Sequence, residues 1–410
     1  MKKFLSLVLA LAMALTMFST FAMADETIKL RVWVGDNQDM AWINGVIDNF
    51  KAANPDKTYE IEVGIQSEGD CSKVVLNDPE AAADVFTFAD DQFNSLYNAG
   101  ALQQVVEGAD EIIAANGGAT AGAVVAATGD DGALYAYPAT ADNGYFMFYN
   151  TEYFTAEDVL TLDGMLAKAE SVGKYVGFPM SNAWYFYSFF KGAGLDMHVS
   201  EDGVTNVCNW NATEGVTYTG VQVLEALLAI TSHKGFKEAD SDPFVAGIKD
   251  GSLVAGVSGT WNANAAADAW GEKYAATKLP TFTVNGEQVQ MASFAGFKLV
   301  GVNPYSENVG DAMDFAAFMT NEASQISRFE LRGQGPSNIN AAASEAVQAA
   351  PAIAALAAQA AYSDVQRVGG KYWDPAAALG KILVNGNPDN TPLQELLDNC
   401  VTGITAPADQ

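Results

Sequence analysis

Residues 28–34 read Ile-Lys-Leu-Arg-Val-Trp-Val and residues 59–65 read Tyr-Glu-Ile-Glu-Val-Gly-Ile. In the first run Ile28, Leu30, Val32 and Val34 alternate with Lys29, Arg31 and Trp33, the period of two that marks a strand. Tyr59, Ile61, Val63 and Ile65 repeat the pattern. After a loop at 35–39, Met40, Ile43, Ile47 and Phe50 recur at helical spacing as far as Asn54-Pro55. Proline lacks the N–H a helix needs and restricts the residue before it, so the helix ends there. Strand, helix, strand in this order predicts a parallel pair joined by a right-handed crossover. Asp84-Val-Phe-Thr-Phe88 reads as a third strand, with a helix following around Phe93 to Tyr97, and the segment is therefore an α/β lobe.

From about residue 144 the chain becomes richer in aromatic residues and helices. Phe146-Met-Phe-Tyr149 reads as a strand, Asp163 to Ser171 as a helix, and Trp184 to Phe190 as an aromatic run. A long helix is predicted from Thr213 to Ile230, capped by Thr213 with Val216, Val223 and Leu227 on one face. Residues 294–302 form another strand-like run. Helices at Val309 to Met319 and Glu322 to Arg332 follow, the second closed by Gly333. The alanine-rich stretch 341–361 reads as a helix pair broken at Pro351. Thr391-Pro392-Leu393-Gln394 has the form of a capping box with proline at the first helical position, opening a last helix with Leu393, Leu396, Leu397 and Val401 on its face.

The 410 residues suffice for about two to three domains. The first 24 have the three regions of a secretory leader: Lys2 and Lys3, an apolar run from Phe4 to Phe18, and Ala22-Met23-Ala24 before Asp25-Glu26. The apolar run is shorter than the ~20 residues a membrane span requires. Cleavage after Ala24 and export to a periplasm or the medium are expected. No cysteine follows the small residues, so no lipid anchor is expected. With 21 Lys and Arg against 50 Asp and Glu, the formal charge is −29, and losing Lys2 and Lys3 makes it more negative. Such a surface repels nucleic acid and anionic lipid. Cys71, Cys208 and Cys400 are odd in number and widely spaced without a C-x-x-C, which argues against zinc or redox chemistry; they read as small apolar residues.

Motifs of catalysis are scarce. The two histidines, His198 and His233, stand in no H-E-x-x-H and beside no second ligand at helical spacing, so no metal site and no Ser-His or Cys-His nucleophile is indicated. Gly256-Val-Ser-Gly259 falls short of a nucleophile elbow because Thr260 stands where glycine is required. Glycine-rich phosphate loops are missing, and Asp130-Asp131-Gly132 and the 36–39 loop lack the terminal glutamate of a calcium loop. No cofactor is expected. Fifty acidic residues leave a carboxylate pair for glycoside hydrolysis open, since its mark is a spatial separation. What the sequence does offer is tryptophan and tyrosine beside Asp and Asn: Trp184 in Ser181-Asn-Ala-Trp, Trp261 in Gly259-Thr-Trp-Asn, and Tyr372-Trp373-Asp374. Sugars present C–H faces rimmed by hydroxyls, which suit a flat ring flanked by amide and carboxylate acceptors. Trp33 and Trp270 read as packing residues.

Four stretches together carry a family resemblance: Asp84-Val-Phe-Thr-Phe-Ala-Asp-Asp-Gln-Phe93; Leu134-Tyr-Ala-Tyr-Pro-Ala-Thr-Ala-Asp142 with Phe148-Tyr-Asn150; Lys249-Asp-Gly-Ser-Leu-Val-Ala-Gly-Val with Gly259-Thr-Trp261; and Lys278-Leu-Pro-Thr281. In order and spacing the chain resembles the family 1 extracellular solute-binding proteins of ABC sugar importers, which include the maltose-binding protein. The resemblance implies an α/β two-lobe periplasmic-binding-protein fold of type II with three hinge crossings, near 139–143, 295–299 and 333–336. The N-terminal lobe would comprise 25–140 plus 300–333 and the C-terminal lobe 141–299 plus 334–410. It implies a monomeric, non-enzymatic receptor that hands a carbohydrate to ABC transporter permease subunits. Ligand-binding positions would fall on Asn37, Gln38, Ser67, Glu68, Phe88, Asp91, Gln92, Asp142, Asn182, Trp184, Trp261, Tyr372 and Trp373. The maltose-type pattern has basic residues where this chain has Gln38 and Gln92, and glutamate at Asp142. Arg and Lys donors are thus expected to be missing at two positions, which favours a neutral sugar. A same-fold receptor for a polyol, peptide or polyamine and a secreted glycoside hydrolase are the alternatives.

Overall fold

A computed structural model describes residues 27–200 and 203–407; the leader and its cleavage pattern lie outside them. Two five-stranded sheets organise the chain. In the first, the strands run Tyr59–Ile65, Ile28–Val34, Val85–Ala89, Lys298–Val302 and Tyr137–Thr140. The first three are parallel, while Lys298–Val302 runs antiparallel to both its neighbours. Leu30, Val32 and Val34 point to the core as the alternation requires, and Lys29 and Arg31 lie partly or fully in solvent. Helix Met40–Ala53 ends at Asn54 before Pro55 and packs Phe50 edge-on to Phe315 of helix Val309–Met319 at 5.1 Å.

The second sheet runs Tyr274–Thr277, Phe146–Asn150, Leu253–Ser258, Tyr175–Phe178 and Phe236–Glu238. Again one strand, here Phe146–Asn150, is antiparallel to both neighbours. Its side chains alternate between two cores. Tyr145 and Met147 join helices Ala183–Gly192, Trp373–Val384 and Leu393–Ile404, while Phe146 and Phe148 join Phe244, Trp270 and Ala355. Both faces of this sheet are therefore covered at its centre, where Leu253–Ser258 is buried along its whole length, while the edge strands Tyr274–Thr277 and Phe236–Glu238 are half-buried.

The chain passes from one sheet to the other at 141–145, 296–297 and 333–338, and these passages are bonded to one another. The Ala141 amide donates to the Gly335 carbonyl at 3.0 Å, and the Asn143 amide to that of Gly296 at 3.2 Å. Thr140 bridges Pro336. The expected boundary between 299 and 300 falls inside a strand, since Lys298 and Leu299 already pair with Ala89 and Phe88 of the first sheet. The 294–302 run is accordingly two strands, Ser293–Ala295 on the second lobe and Lys298–Val302 on the first, separated by Gly296 and Phe297.

Three helix predictions need correction. The helix placed at 213–230 spans Gly220–Thr231; Gly215 takes a φ of +76°, which no α-helix continues, and the cap is Thr219, in a reciprocal box with Gln222. The alanine-rich stretch holds three short helices, Ile339–Ala342, Glu345–Gln348 and Pro351–Gln359, and Pro351 starts the last where its missing N–H is harmless. In the last helix, Leu393–Ile404, Pro392 is the cap and Thr391 instead exchanges hydrogen bonds with Asn387. Gly333 closes helix Glu322–Arg332 in the left-handed conformation, φ +69°, as predicted. The three cysteines are free thiols, all pushed up to about 12 chiefly by burial, and none is a reactive thiolate.

Candidate functional site

Trp184 and Trp261 meet on the second lobe. Asn182 caps helix Ala183–Gly192 by accepting from the Trp184 amide at 3.0 Å and donates to Asp240 at 2.8 Å, which fixes the first turn that carries Trp184. Trp261 lies on the short turn Thr260–Asn262 that follows strand Leu253–Ser258. Its ring folds back over Gly259, where a Cβ would sit 2.1 Å from it, so only glycine permits this placement. Thr260 then donates to Asp142 at 2.5 Å, anchoring the turn to the first crossing. The two indoles are half-buried, with centroids 5.6 Å apart at 42°. Tyr145 packs edge-on to Trp184 at 4.6 Å.

The indole pair is linked to the first lobe on two sides. The Trp184 Nε1–H donates to Gln366 at 2.6 Å, and the Gln366 side chain also acts on the carboxyl of Asp91, favouring its charged form. Burial, together with the adjacent Asp90 carboxylate, pushes Asp91 up to about 7, against the pull of Gln366 and Arg367. Its Oδ1 is buried without a hydrogen-bond partner. Asp90, raised to about 6 by burial, accepts from Arg367 at 2.9 Å and from the Phe297 amide at 3.2 Å. On the other side, the Lys298 ammonium lies 5.7 Å from the Trp261 ring centre and pairs with Glu68 at 2.5 Å.

Beyond Glu68 the first lobe is dense in paired charge. Arg328, 2% exposed, reaches Glu68 at 3.3 Å and lies 4.7 Å from the face of Trp42. Arg332, 3% exposed, donates to Asp39 at 2.8 Å, Gln38 at 2.9 Å and Asp36 at 3.0 Å. Burial alone would raise Asp39, but Arg328, Arg332 and Lys298 outweigh it and hold its carboxyl below the usual range.

Of the thirteen predicted positions, Trp184 and Trp261 touch; Asp91, Asp142 and Glu68 join them through Gln366, Thr260 and Lys298. Gln38 is bound to Arg332, and Asn37 and Ser67 are exposed beside the same loops. Gln92 is buried, accepting from the Ser72 amide and donating to the Glu68 carbonyl, so it braces the loop at 67–72. Trp373 is half-buried against Tyr372 and Phe294. Two positions are placed elsewhere: Phe88 and Tyr372 are fully buried, the first in the core of its lobe, the second donating to the Ala183 carbonyl at 2.7 Å beneath Trp184. Neither ring has surface to offer a ligand.

Gln38 and Gln92 supply no basic donor, but basic side chains reach the site from other segments. Lys298, Arg328, Arg332 and Arg367 come from segments outside the motif positions. One signal was present: Ser324, Gln325, Arg328 and Arg332 recur at three- and four-residue intervals, and this polar stripe is the buried face of its helix. Among the described residues no group of three His, Cys, Asp or Glu is placed to hold a metal, and no helix is long and apolar enough to cross a membrane.

Comparison with known proteins gives a consistent picture. A family model described as bacterial extracellular solute-binding protein matches residues 45–355. A structure solved with acarbose is 30% identical with a TM-score of 0.79, covering 93% of this chain and 99% of that one. The maltodextrin-binding protein from L. casei BL23, solved without ligand, is 25% identical with a TM-score of 0.74, covering 93% and 100%. The galactooligosaccharide-binding protein of Bacillus subtilis (strain 168) is 30% identical over 144 residues, 34% of this chain and 33% of that relative's length.

Proposed function

The chain belongs to the bacterial extracellular solute-binding proteins, and from that premise we propose that it captures a neutral oligosaccharide between its lobes and delivers it to an ABC importer without altering it. The observation that carries this reading is the half-buried Trp184–Trp261 pair, joined through Gln366 to a carboxyl with an unpartnered oxygen on the opposite lobe. The indoles supply flat apolar faces for sugar C–H groups, and Asp91 supplies an acceptor for a hydroxyl. Ligand bound to both lobes stabilises their approach, and the bonded passages at 141–145, 296–297 and 333–338 serve as the hinges.

The basic side chains do not argue for an anionic ligand, because each reaches a carboxylate: Lys298 and Arg328 share Glu68, Arg332 meets Asp36 and Asp39, and Arg367 meets Asp90. A neutral polyhydroxyl ligand leaves these pairs intact. The hydrolase alternative is weakened in the same way, since the Asp142 Oδ2 is occupied by Thr260 and the Gly335 amide and serves to hold a turn. The leader is cleaved after Ala24, and the protein is released as a monomer that meets its permease outside the cell membrane.

Calorimetric titration with maltotriose and a galactooligosaccharide tests the proposal. Saturable binding of one of them with no release of reducing ends is expected. Failure of folded protein to bind any neutral glycan, with saturable binding of a polyamine or peptide, would replace the sugar by another solute; release of reducing ends would make the protein a hydrolase.

A further inference from the structure

Two of the three thiols, far apart in sequence, are brought together by the fold. Strands Met197–Val199 and Asn206–Cys208 form a hairpin, and the second of them lies against the last helix, Leu393–Ile404, with Cα atoms of the two elements within 8 Å. Three hydrogen bonds fix how the two run past each other. Asn206 Nδ2 donates to the Ile404 carbonyl at 3.1 Å, Asn211 Nδ2 to Asp398 at 2.9 Å, and Gln394 Nε2 to the Asn211 carbonyl at 2.9 Å. The segment 206–211 therefore runs antiparallel to the helix.

From Asn206, two strand residues cover about 6.6 Å and return to the same face. From Ile404, four residues back along the helix cover about 6 Å and also return to the same face. Those two steps end at Cys208 and Cys400, which are thus level with each other. Burial follows the same alternation, since Asn206 and Cys208 turn inward while Val207 between them is 46% exposed. Cys208 packs against the core that contains Cys400. Burial, and after it the charge of Cys208, raises the Cys400 thiol, so the two sulfurs act on each other. Cys71 belongs to the core of the other lobe.

We propose that Cys208 and Cys400 are a disulfide site, closed by a small-molecule disulfide in the oxidising surroundings that an extracellular family meets. With glutathione disulfide as the oxidant, one cysteine thiolate attacks a sulfur of the oxidant and releases one glutathione thiolate. The other cysteine thiolate then displaces the second glutathione from the mixed disulfide. The two cysteine thiols lose two protons and two electrons in all, and the oxidant is reduced to two thiols. Buried thiols exchange slowly, so the bond closes as the last helix docks during folding. It ties that helix to the hairpin, whose Asn206 also exchanges hydrogen bonds with Gly369 ahead of the Tyr372–Trp373 pair. The site is independent of which solute the protein binds.

Alkylation in denaturant followed by peptide mass spectrometry tests it, on the full chain refolded from urea with reduced and oxidised glutathione and on folded chain held for days with glutathione disulfide. One alkylated residue, Cys71, and a Cys208–Cys400 cross-linked peptide are expected in both. The oxidised protein should melt about 3 °C or more above the same protein treated with dithiothreitol. Cys71→Ser keeps the cross-link and this difference, whereas Cys208→Ser and Cys400→Ser lose both. Three alkylated cysteines in both preparations, a cross-link that includes Cys71, or glutathione left on Cys208 in the wild type overturns the site; a cross-link with no rise in melting temperature overturns its bracing of the helix.

Discussion

On the first lobe the surface beside the tryptophans is organised by charge, with Arg332 among Asp36, Gln38 and Asp39 and with Glu68 between Lys298 and Arg328. On the second lobe the corresponding surface is organised by rings, with Trp261 on Trp184 and Trp184 on Tyr145. Both arrangements fix side chains in place, by different physics. Apart from the half-exposed Asp36, the ion pairs are buried, so each depends on its partner for solvation, and losing one member strands another charge. The two indoles are half-buried over the buried Tyr145 and depend on shape, so on the reading proposed above they offer surface to a ligand at little electrostatic cost. One wall is thus expected to be sensitive in stability and the other, on the proposed reading, in recognition.

Removing Arg332 gives the largest expected effect. Arg332→Ala leaves Asp39 buried and unpaired and costs about 3–5 kcal/mol in urea unfolding; a loss below about 1 kcal/mol would erase the contrast between the walls. Trp261→Ala is expected to leave the melting temperature nearly unchanged while weakening glycan binding by about 2 kcal/mol, roughly 30-fold. Equal losses in stability and affinity would show that the ring wall is core. Gly259→Ala tests placement alone, since the new methyl would sit where the Trp261 ring now lies. It should weaken binding about ten-fold and alter tryptophan emission; unchanged affinity would mean that the ring can lie elsewhere.

The smallest effect concerns pH. Asp91 is raised to about 7 from an ordinary 3.8, so between these values the folded chain keeps a proton the unfolded chain has released. Its contribution to stability is complete below the ordinary value and is lost as pH rises through the folded one. Asp91→Asn should therefore reduce the fall in melting temperature between pH 5 and pH 8 by about 2–4 °C. An identical slope in both proteins would remove Asp91 from the link between the lobes.

The two-lobe fold was legible because its signals are local. Alternation in 28–34, helical spacing in 40–50 and Pro55 act within a few residues. The meeting of Trp184 and Trp261 in the candidate site was legible for a similar reason, since both stand in short stretches with Asn or Gly. The charged half was not, because Arg332 meets Asp39 across 293 residues and Lys298 meets Glu68 only through sheet pairing. Phe88 and Tyr372 misled because an aromatic residue next to a polar one reads the same whether its ring faces a core or an opening. The polar stripe of 324–332 shows how such pairs can be sought: charged residues at helical intervals on the face that should be apolar.

The strand Lys298–Val302 lies between Val85–Ala89 and Tyr137–Thr140 in the first sheet. During synthesis, that sheet waits for a strand that arrives only after the whole stretch 146–258, with four strands of the second sheet, has emerged. The N-terminal half of the chain is therefore left with open strand edges through much of translation, and its completion is a late, long-range event. For a member of an exported family such an order matters, because the architecture itself postpones the compact state until nearly three quarters of the sequence is out.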